Sequence, residues 1–182
     1  VEPSRVLDVA TGTGDLALEI EKRWPDAEVI GTDFCEPMLE RARRRGLART
    51  QVADALDLPF ADGEFDALTV GFGLRNMADW GAALREMSRV LKGGGLLVVL
   101  DFSLPKAKSL RAAYRLYLHK LLPKVAGAIT GKRDAYEYLG GTIEEFPSGD
   151  AMCELIEGCG FAGASATRLS GGIASIYTAS RA

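Results

Sequence analysis

Apolar runs of strand length alternate with stretches of helical period through the first half of this chain, and few folds accommodate that order. "RVLDVA" is a short apolar run ending in a glycine loop and reads as a buried strand. "DLALEIEKRW" follows with helical period; Asp15 is placed to cap it, and Pro25 and Asp26 break it. "AEVIGTD" is a second strand, and Glu36 to Arg45 a second helix with Pro37 at its start. "RTQVAD" is a weaker third strand and "FDALTVGFG" a fourth. A helix from Asp79 to Leu91, stopped by "KGGG", leads into a fifth strand, "GLLVVLDFS". Most of these strands are continuously apolar, as in a parallel sheet covered on both faces. Right-handed crossovers then predict an α/β fold with a Rossmann-like, doubly wound, mostly parallel sheet. Ligands of such sheets bind at the carboxyl ends of the strands, beside the switch point.

The texture changes near Pro105. A helical stretch runs to about Thr130, a loop region rich in Tyr and Gly follows, and Met152 to Glu157 is helical again. "FAGASATRL" and "GGIASIYTAS" then form an antiparallel strand pair, joined through Ser170 and Gly171. There is no internal repeat or long linker. Residues 1–182 are therefore expected to form one domain, with 105–148 a helical and loop insertion over the strand ends. A chain of 182 residues can bury a sizeable core. Its formal net charge of −3 does not point to nucleic acid, and no stretch reaches the length of a membrane span. The chain starts almost at once on a strand, so no signal peptide is expected. Cys35, Cys153 and Cys159 form no CxxC pair. They read as small buried hydrophobes in a reducing cytoplasm rather than a disulfide framework or zinc knuckle.

Strand ends are where chemistry is expected. In "LDVATGTGDL", Gly12 and Gly14 make a tight loop whose amides are open to a ligand. A dinucleotide fingerprint would place a third glycine at position 17, which is Ala17. Asp8, four positions before the first glycine, suits a cofactor with a cationic amine and does not suit a pyrophosphate. Asp33 ends the second strand and can take both hydroxyls of a ribose. Asp54 follows the third strand and can accept from an exocyclic adenine amine. Met38 lies one turn into the next helix and can cover the adenine face. A plainer role stands beside each: Asp33 and Asp54 as caps of the next element, Met38 as ordinary core. At consecutive strand ends they jointly favour S-adenosylmethionine.

This pattern resembles the class I S-adenosylmethionine-dependent methyltransferases. The block "GFGLRNMADWGAALREMSRVLKGGGLLVVLDFSLP", with "YEYLGGTIEEFP" and "GFAGASATRLSGGIA", is similar to the family that C-methylates the quinone ring in ubiquinone and menaquinone biosynthesis. The resemblance covers essentially the whole chain. It implies cofactor contacts at Thr13, Asp33, Asp54, Ala55 and Gly71, with Asp8, Gly12 and Gly14 matching the general methyltransferase motif. It also implies a segment ahead of the first strand that helps close the cofactor site. That segment is absent here, so an open, solvent-filled cleft is expected. Three positions depart from the family pattern: Gly93 stands for Pro, Asp101 for Glu, and Tyr177 for a His.

The reaction so implied needs a ring carbon made nucleophilic by loss of a phenolic proton, so an oxyanion must be stabilised and a proton accepted. Arg75 and Asn76 after the fourth strand suit the first task, or else form a loop-bracing pair. Asp101, or a water ordered by Arg75 and Asn76, is the candidate acceptor. Tyr136 and Tyr138 are candidates to line the quinone slot or bond a ring oxygen. His119 reads as a solvated helix-face residue within a basic stripe.

The substrate would be a prenylated quinol, whose tail lies in lipid. From Lys106 to Arg133 there are eight Lys or Arg and no Asp or Glu, leaving a net −11 for the rest of the chain. Leu110, Tyr114, Tyr117, Leu121 and Val125 recur there at helical spacing. That stripe suits peripheral contact with an anionic membrane, and equally suits packing on the domain. "RARRRGLAR" reads as a solvated face. Alternatives are a class I methyltransferase for another small phenol or lipid, or a non-catalytic cofactor-binding protein. "GFGLRN" stands where amino-directed nucleic-acid methyltransferases carry Asn/Asp-Pro-Pro-aromatic, and it argues against that class.

Overall fold

A computed structural model describes residues 2–117, 142, 143 and 145–182. Seven strands form one sheet: β1 (Arg5–Val9), β2 (Glu28–Asp33), β3 (Thr50–Val52), β4 (Phe65–Gly71), β5 (Leu91–Phe102), β6 (Phe161–Leu169) and β7 (Ala174–Arg181). Their order is β3-β2-β1-β4-β5-β7-β6. β1 to β5 are mutually parallel, and β7 runs antiparallel to both β5 and β6. The switch point falls between β1 and β4, where the first crossover direction reverses.

The helices are α1 (Asp15–Arg23), α2 (Glu36–Arg44), α3 (Trp80–Val90), α4 (Lys108–Leu116) and α5 (Asp150–Glu157). Side chains alternate across the sheet, and the two faces bury different sets. Val6 and Val29 pack on Ala17, Ile20, Ala42 and Leu47 from the α1 and α2 side. Leu7, Leu68, Val70, Leu97 and Val99 pack on Leu84, Met87, Met152 and Ile156 from α3 and α5. Each fully buried Leu or Met contributes about 1.5–3 kcal/mol. The larger cluster, on the α3 side, therefore anchors the middle of the sheet.

Three local expectations need correction. Asp15 does not cap α1: the N-cap is Gly14 at φ 80°, and no side chain caps the helix there. A glycine tolerates that left-handed backbone, which leaves Asp15 as the first helical residue, paired with Arg45. "KGGG" does not stop a helix but lies inside β5. The register shifts between Phe65 and Ala67 on the neighbouring strand, and the glycines let β5 absorb that irregularity. Of the cysteines only Cys159 is buried; Cys35 and Cys153 are half-buried, and all three are free. Asp79, by contrast, does cap α3, its carboxylate accepting from the Ala82 amide at 2.8 Å.

α4 divides its apolar residues. Tyr114 is buried against Ile143, Phe102, Leu104 and Ile173, while Leu110, Leu116 and Tyr117 are exposed. Leu121, Val125, His119, Tyr136 and Tyr138 lie outside the described residues. Among the described residues no helix is long and apolar enough to cross a membrane.

Candidate active site

The carboxyl ends of β1, β2, β3 and β4 surround a cleft of about 550 Å³. Gly12, Asp33, Met38, Asp54, Ala55, Gly71 and Asn76, all picked out in the sequence, line it. Arg75, Asp8, Thr13, Gly14 and Asp101 do not.

Asp33 is the last residue of β2 and is almost fully buried. One carboxylate oxygen accepts the Gly12 amide and the other the Cys35 amide, each at 2.9 Å. An ionised carboxylate has about four acceptor sites, so two amides leave capacity for two hydroxyl donors. Asp33 thus ties the glycine loop to the start of α2 while still facing the cleft. A Cβ at Gly12 would lie 3.8 Å from Met38 Cε, which puts the thioether against the same wall. Asp54 accepts the Leu56 amide at 2.9 Å, closing a short turn after β3. Its residue lines the cleft opposite the glycine loop.

Asp8 is placed differently from the cofactor-facing residue expected. Its side chain points to the α1 side of the sheet and is 1% exposed. Thr11 and Thr69 hydroxyls donate to its two oxygens, each at 2.6 Å. Burial pushes its carboxyl up to about 6, against the opposing effect of those hydroxyls. It braces the loop from beneath. Thr13 donates to Asp15 at 2.7 Å, and Arg45 donates to the Thr13 carbonyl at 2.9 Å. The outer side of the loop is therefore pinned to α1 and to the end of α2.

The loop after β4 forms the opposite wall. Phe72 has φ 55° and Ala10, after β1, φ 53°. Non-glycine residues hold that conformation at a cost, and such residues cluster at binding sites. The two loops touch: a Cβ on Gly73 would fall 2.5 Å from Ala10 Cβ, so only glycine fits. Residues 74–76 make a single 3-10 turn. It leaves Asn76 on the cleft, its amide 3.4 Å from the Phe72 carbonyl.

Arg75 turns inward. Its Nη1 donates to Asp101 at 2.7 Å and to the Phe72 carbonyl at 2.8 Å. The guanidinium also lies 5.0 Å from the centre of the Phe102 ring. The Asp101 side chain is wholly buried and that of Arg75 is 9% exposed. Burial pushes the Asp101 carboxyl up, and the Arg75 charge opposes it. The expected oxyanion stabiliser and the expected proton acceptor are thus bonded to each other. Asp101 holds Arg75 and does not open onto the cleft. Arg75 Nε is buried with no hydrogen-bond partner among the described residues.

Several lining residues carried no signal in the sequence. Phe34 is 81% exposed at the cleft edge, and Phe72 and Met77 also line it. In the chain, a Phe beside a strand end looks like core; only its exposure marks it. Tyr177, which departs from the family's His, is buried, and its hydroxyl accepts the Gly149 amide at 3.0 Å ahead of α5.

A model of the ubiE/COQ5 methyltransferase family matches residues 1–181. The chain belongs to that family. A demethylmenaquinone methyltransferase of Thermus thermophilus is 50% identical over 164 residues, covering 87% of this chain and 74% of the relative. A ubiquinone/menaquinone biosynthesis C-methyltransferase, UbiE, of a Geobacter species is 42% identical over 185 positions, covering 97% and 78%. The fold is similar to that of a SAM-dependent methyltransferase from Thermotoga maritima, with TM-score 0.70 and 21% identity over 98% of this chain and 82% of that one. In this ubiE/COQ5 family member the "GFGLRN" loop and the glycine loop are the two walls of one cleft.

Proposed function

We propose that this chain transfers the methyl group of S-adenosylmethionine to a ring carbon of a prenylated hydroquinone, in menaquinone or ubiquinone biosynthesis. The observation that carries the reading is the placement of Asp33 and Asp54 at successive strand ends around one cleft, opposite Asn76. That donor and acceptor set fits the cofactor. Asp33 keeps acceptor capacity for the ribose hydroxyls, Asp54 for the adenine amine, and Met38 offers an apolar wall to the base. Gly12, Ala55 and Gly71 admit the nucleoside by lacking bulk, while Asp8, Thr13 and Gly14 keep the loop in shape.

When bound, the cofactor supplies an electrophilic methyl on a sulfonium. The chain's own task is to align and activate the ring. Holding two reactants in contact lowers a barrier by roughly 7–11 kcal/mol. Asn76 faces the cleft and donates to a ring oxygen as it gains negative charge. Arg75, one residue earlier, places a fixed positive charge beneath that position, where low dielectric strengthens its effect. Asp101 keeps that guanidinium in place. Tyr138, outside the described residues, is assigned to a ring oxygen, and residues 105–148 to a cover over the substrate. The phenolic proton leaves through a water on the cleft side of Arg75. The exposed Leu110, Leu116 and Tyr117 of α4 support peripheral contact with the membrane that holds the prenyl tail.

The decisive experiment incubates the protein with labelled methyl donor and reduced demethylmenaquinone. Label in the quinol ring is expected. Label in another acceptor, with none in the quinol, would overturn the assignment. Arg75→Ala should abolish turnover and leave S-adenosylhomocysteine affinity nearly unchanged. A large affinity loss would move Arg75 to cofactor binding.

A further inference from the structure

A second, smaller cavity of about 240 Å³ lies beyond the carboxyl end of β5, away from the cofactor cleft. No described residue lines both. Its character is opposite to the cleft's. Lys106, Arg111, Arg168 and Asp150 line it, so its described lining carries a net +2. The chain as a whole carries −3. Such a reversal concentrates positive potential on a small area.

The cations are incompletely spent. Arg168 has no hydrogen bond or ion pair with any described residue, although it sits at the end of β6 facing the cavity. Among the described residues the Arg111 side chain bonds through Nε, donating to the Pro105 carbonyl at 2.8 Å. That bond braces the side chain at its base, and its outer nitrogens bond no other described residue. Lys106 reaches Asp150 at 3.3 Å, an exposed pair that water screens and an anion can displace. Two guanidinium groups around one cavity suit a tetrahedral oxyanion, because each presents paired donors in a plane.

The floor is polar and built in. Ser103 and Ser175 are 2% and 1% exposed. The Ser103 hydroxyl donates to the Gly172 carbonyl at 2.8 Å and lies 2.9 Å from the Ser175 hydroxyl. With its own proton committed, Ser103 accepts from Ser175, so the pair is rigid. The N-terminus of α5, capped by no side chain, opens onto the same cavity and adds its positive end.

We propose that this cavity binds a phosphate group. Two sources share that chemistry: free phosphate and the headgroup of an anionic phospholipid. The exposed Leu110, Leu116 and Tyr117 on α4, the helix that carries Arg111, place an apolar surface beside the site.

The test uses the whole chain and two probes. Inorganic phosphate is titrated by calorimetry, and vesicles of phosphatidylcholine with or without phosphatidylglycerol are sedimented with the protein. Arg168→Gln alters an exposed side chain and should not disturb folding; Arg111→Gln is the second variant. Arg44→Gln, on α2 at the far side of the sheet, controls for general loss of charge. Saturable phosphate binding that each cavity variant weakens tenfold or more supports the site. If phosphatidylglycerol binding falls in parallel, and free phosphate competes with it, the source is a headgroup. If vesicle binding is unchanged, the source is free phosphate. The proposal is overturned if neither probe binds, or if Arg44→Gln weakens binding as much as Arg168→Gln. S-adenosylhomocysteine affinity should be the same in all variants, so this outcome is independent of the methyl-transfer reading.

Discussion

Asp8 and Asp101 are each the penultimate residue of a parallel strand, β1 and β5, and each is buried. They lie on opposite faces of the sheet and meet opposite surroundings. Asp8 has neutral hydrogen-bond partners, the hydroxyls of Thr11 and Thr69. Asp101 has a guanidinium at 2.7 Å. Burial pushes both carboxyls up. Burial outweighs those hydrogen bonds and leaves the Asp8 carboxyl at about 6, well above the ordinary carboxylate value. The Asp101 carboxylate instead shares its burial with a cation, which fixes a charge beneath the cleft wall. The same side chain at the same place in a strand is a loop brace in one case and half of an electrostatic device in the other.

The comparison breaks most visibly at Asp101. Asp101→Ala leaves the Arg75 charge buried without a partner, which costs about 3–5 kcal/mol. Denaturant unfolding should show that loss, and Arg75→Met in the same chain should recover much of it. If Asp101→Ala costs no more than an exposed substitution, the pair is not the structural unit described.

At Asp8 the effect depends on pH. Its folded pKa, about 6, lies above the ordinary value of 3.8. The folded state therefore holds this proton more tightly than the unfolded chain does. Asp8 contributes most stability below pH 3.8, and that contribution is lost as pH rises to about 6. At about 1.4 kcal/mol per unit, the whole change is on the order of 3 kcal/mol. Asp8→Asn removes the titration. The stability of Asp8→Asn relative to the parent should rise between those limits and then level off. A flat difference would mean that Asp8 titrates normally.

The smallest effect is expected at Asp15, whose carboxyl the Arg45 and Thr13 hydrogen bonds hold down at about 2. This pair is exposed to solvent and screened by salt. Asp15→Asn should shift the unfolding midpoint only slightly, and not at all at high salt. A large shift would show that surface pairing, and not burial, governs the loop.

Much of this arrangement was legible beforehand. Buried parallel strands need apolar runs, and helices over them need a 3.6-residue period, so the order of elements was already written in the residues of β1 to β5. Asp33 and Asp54 could be placed at strand ends, and Met38 one turn into the helix that follows, by counting, because the carboxyl edge of a doubly wound sheet is one place in space. "KGGG" misled because glycines that end a helix look the same as glycines that carry a strand through a register shift. Asp15 misled because Gly14 took the left-handed position that moved the helix start by one residue.

The sequence by itself determined which side chains reach the rim of the sheet and which family the chain resembles, since periodicity and short motifs are local properties. Only the tertiary structure decided which way those side chains point. Asp8 turns under its loop because its strand position assigns it to the α1 face, and Arg75 turns inward because Asp101, 26 residues further along the chain, lies buried on the neighbouring strand β5. The Arg75–Asp101 pairing depends on how strands far apart in the chain line up beside one another, and a slip of one residue would turn Asp101 to the other face.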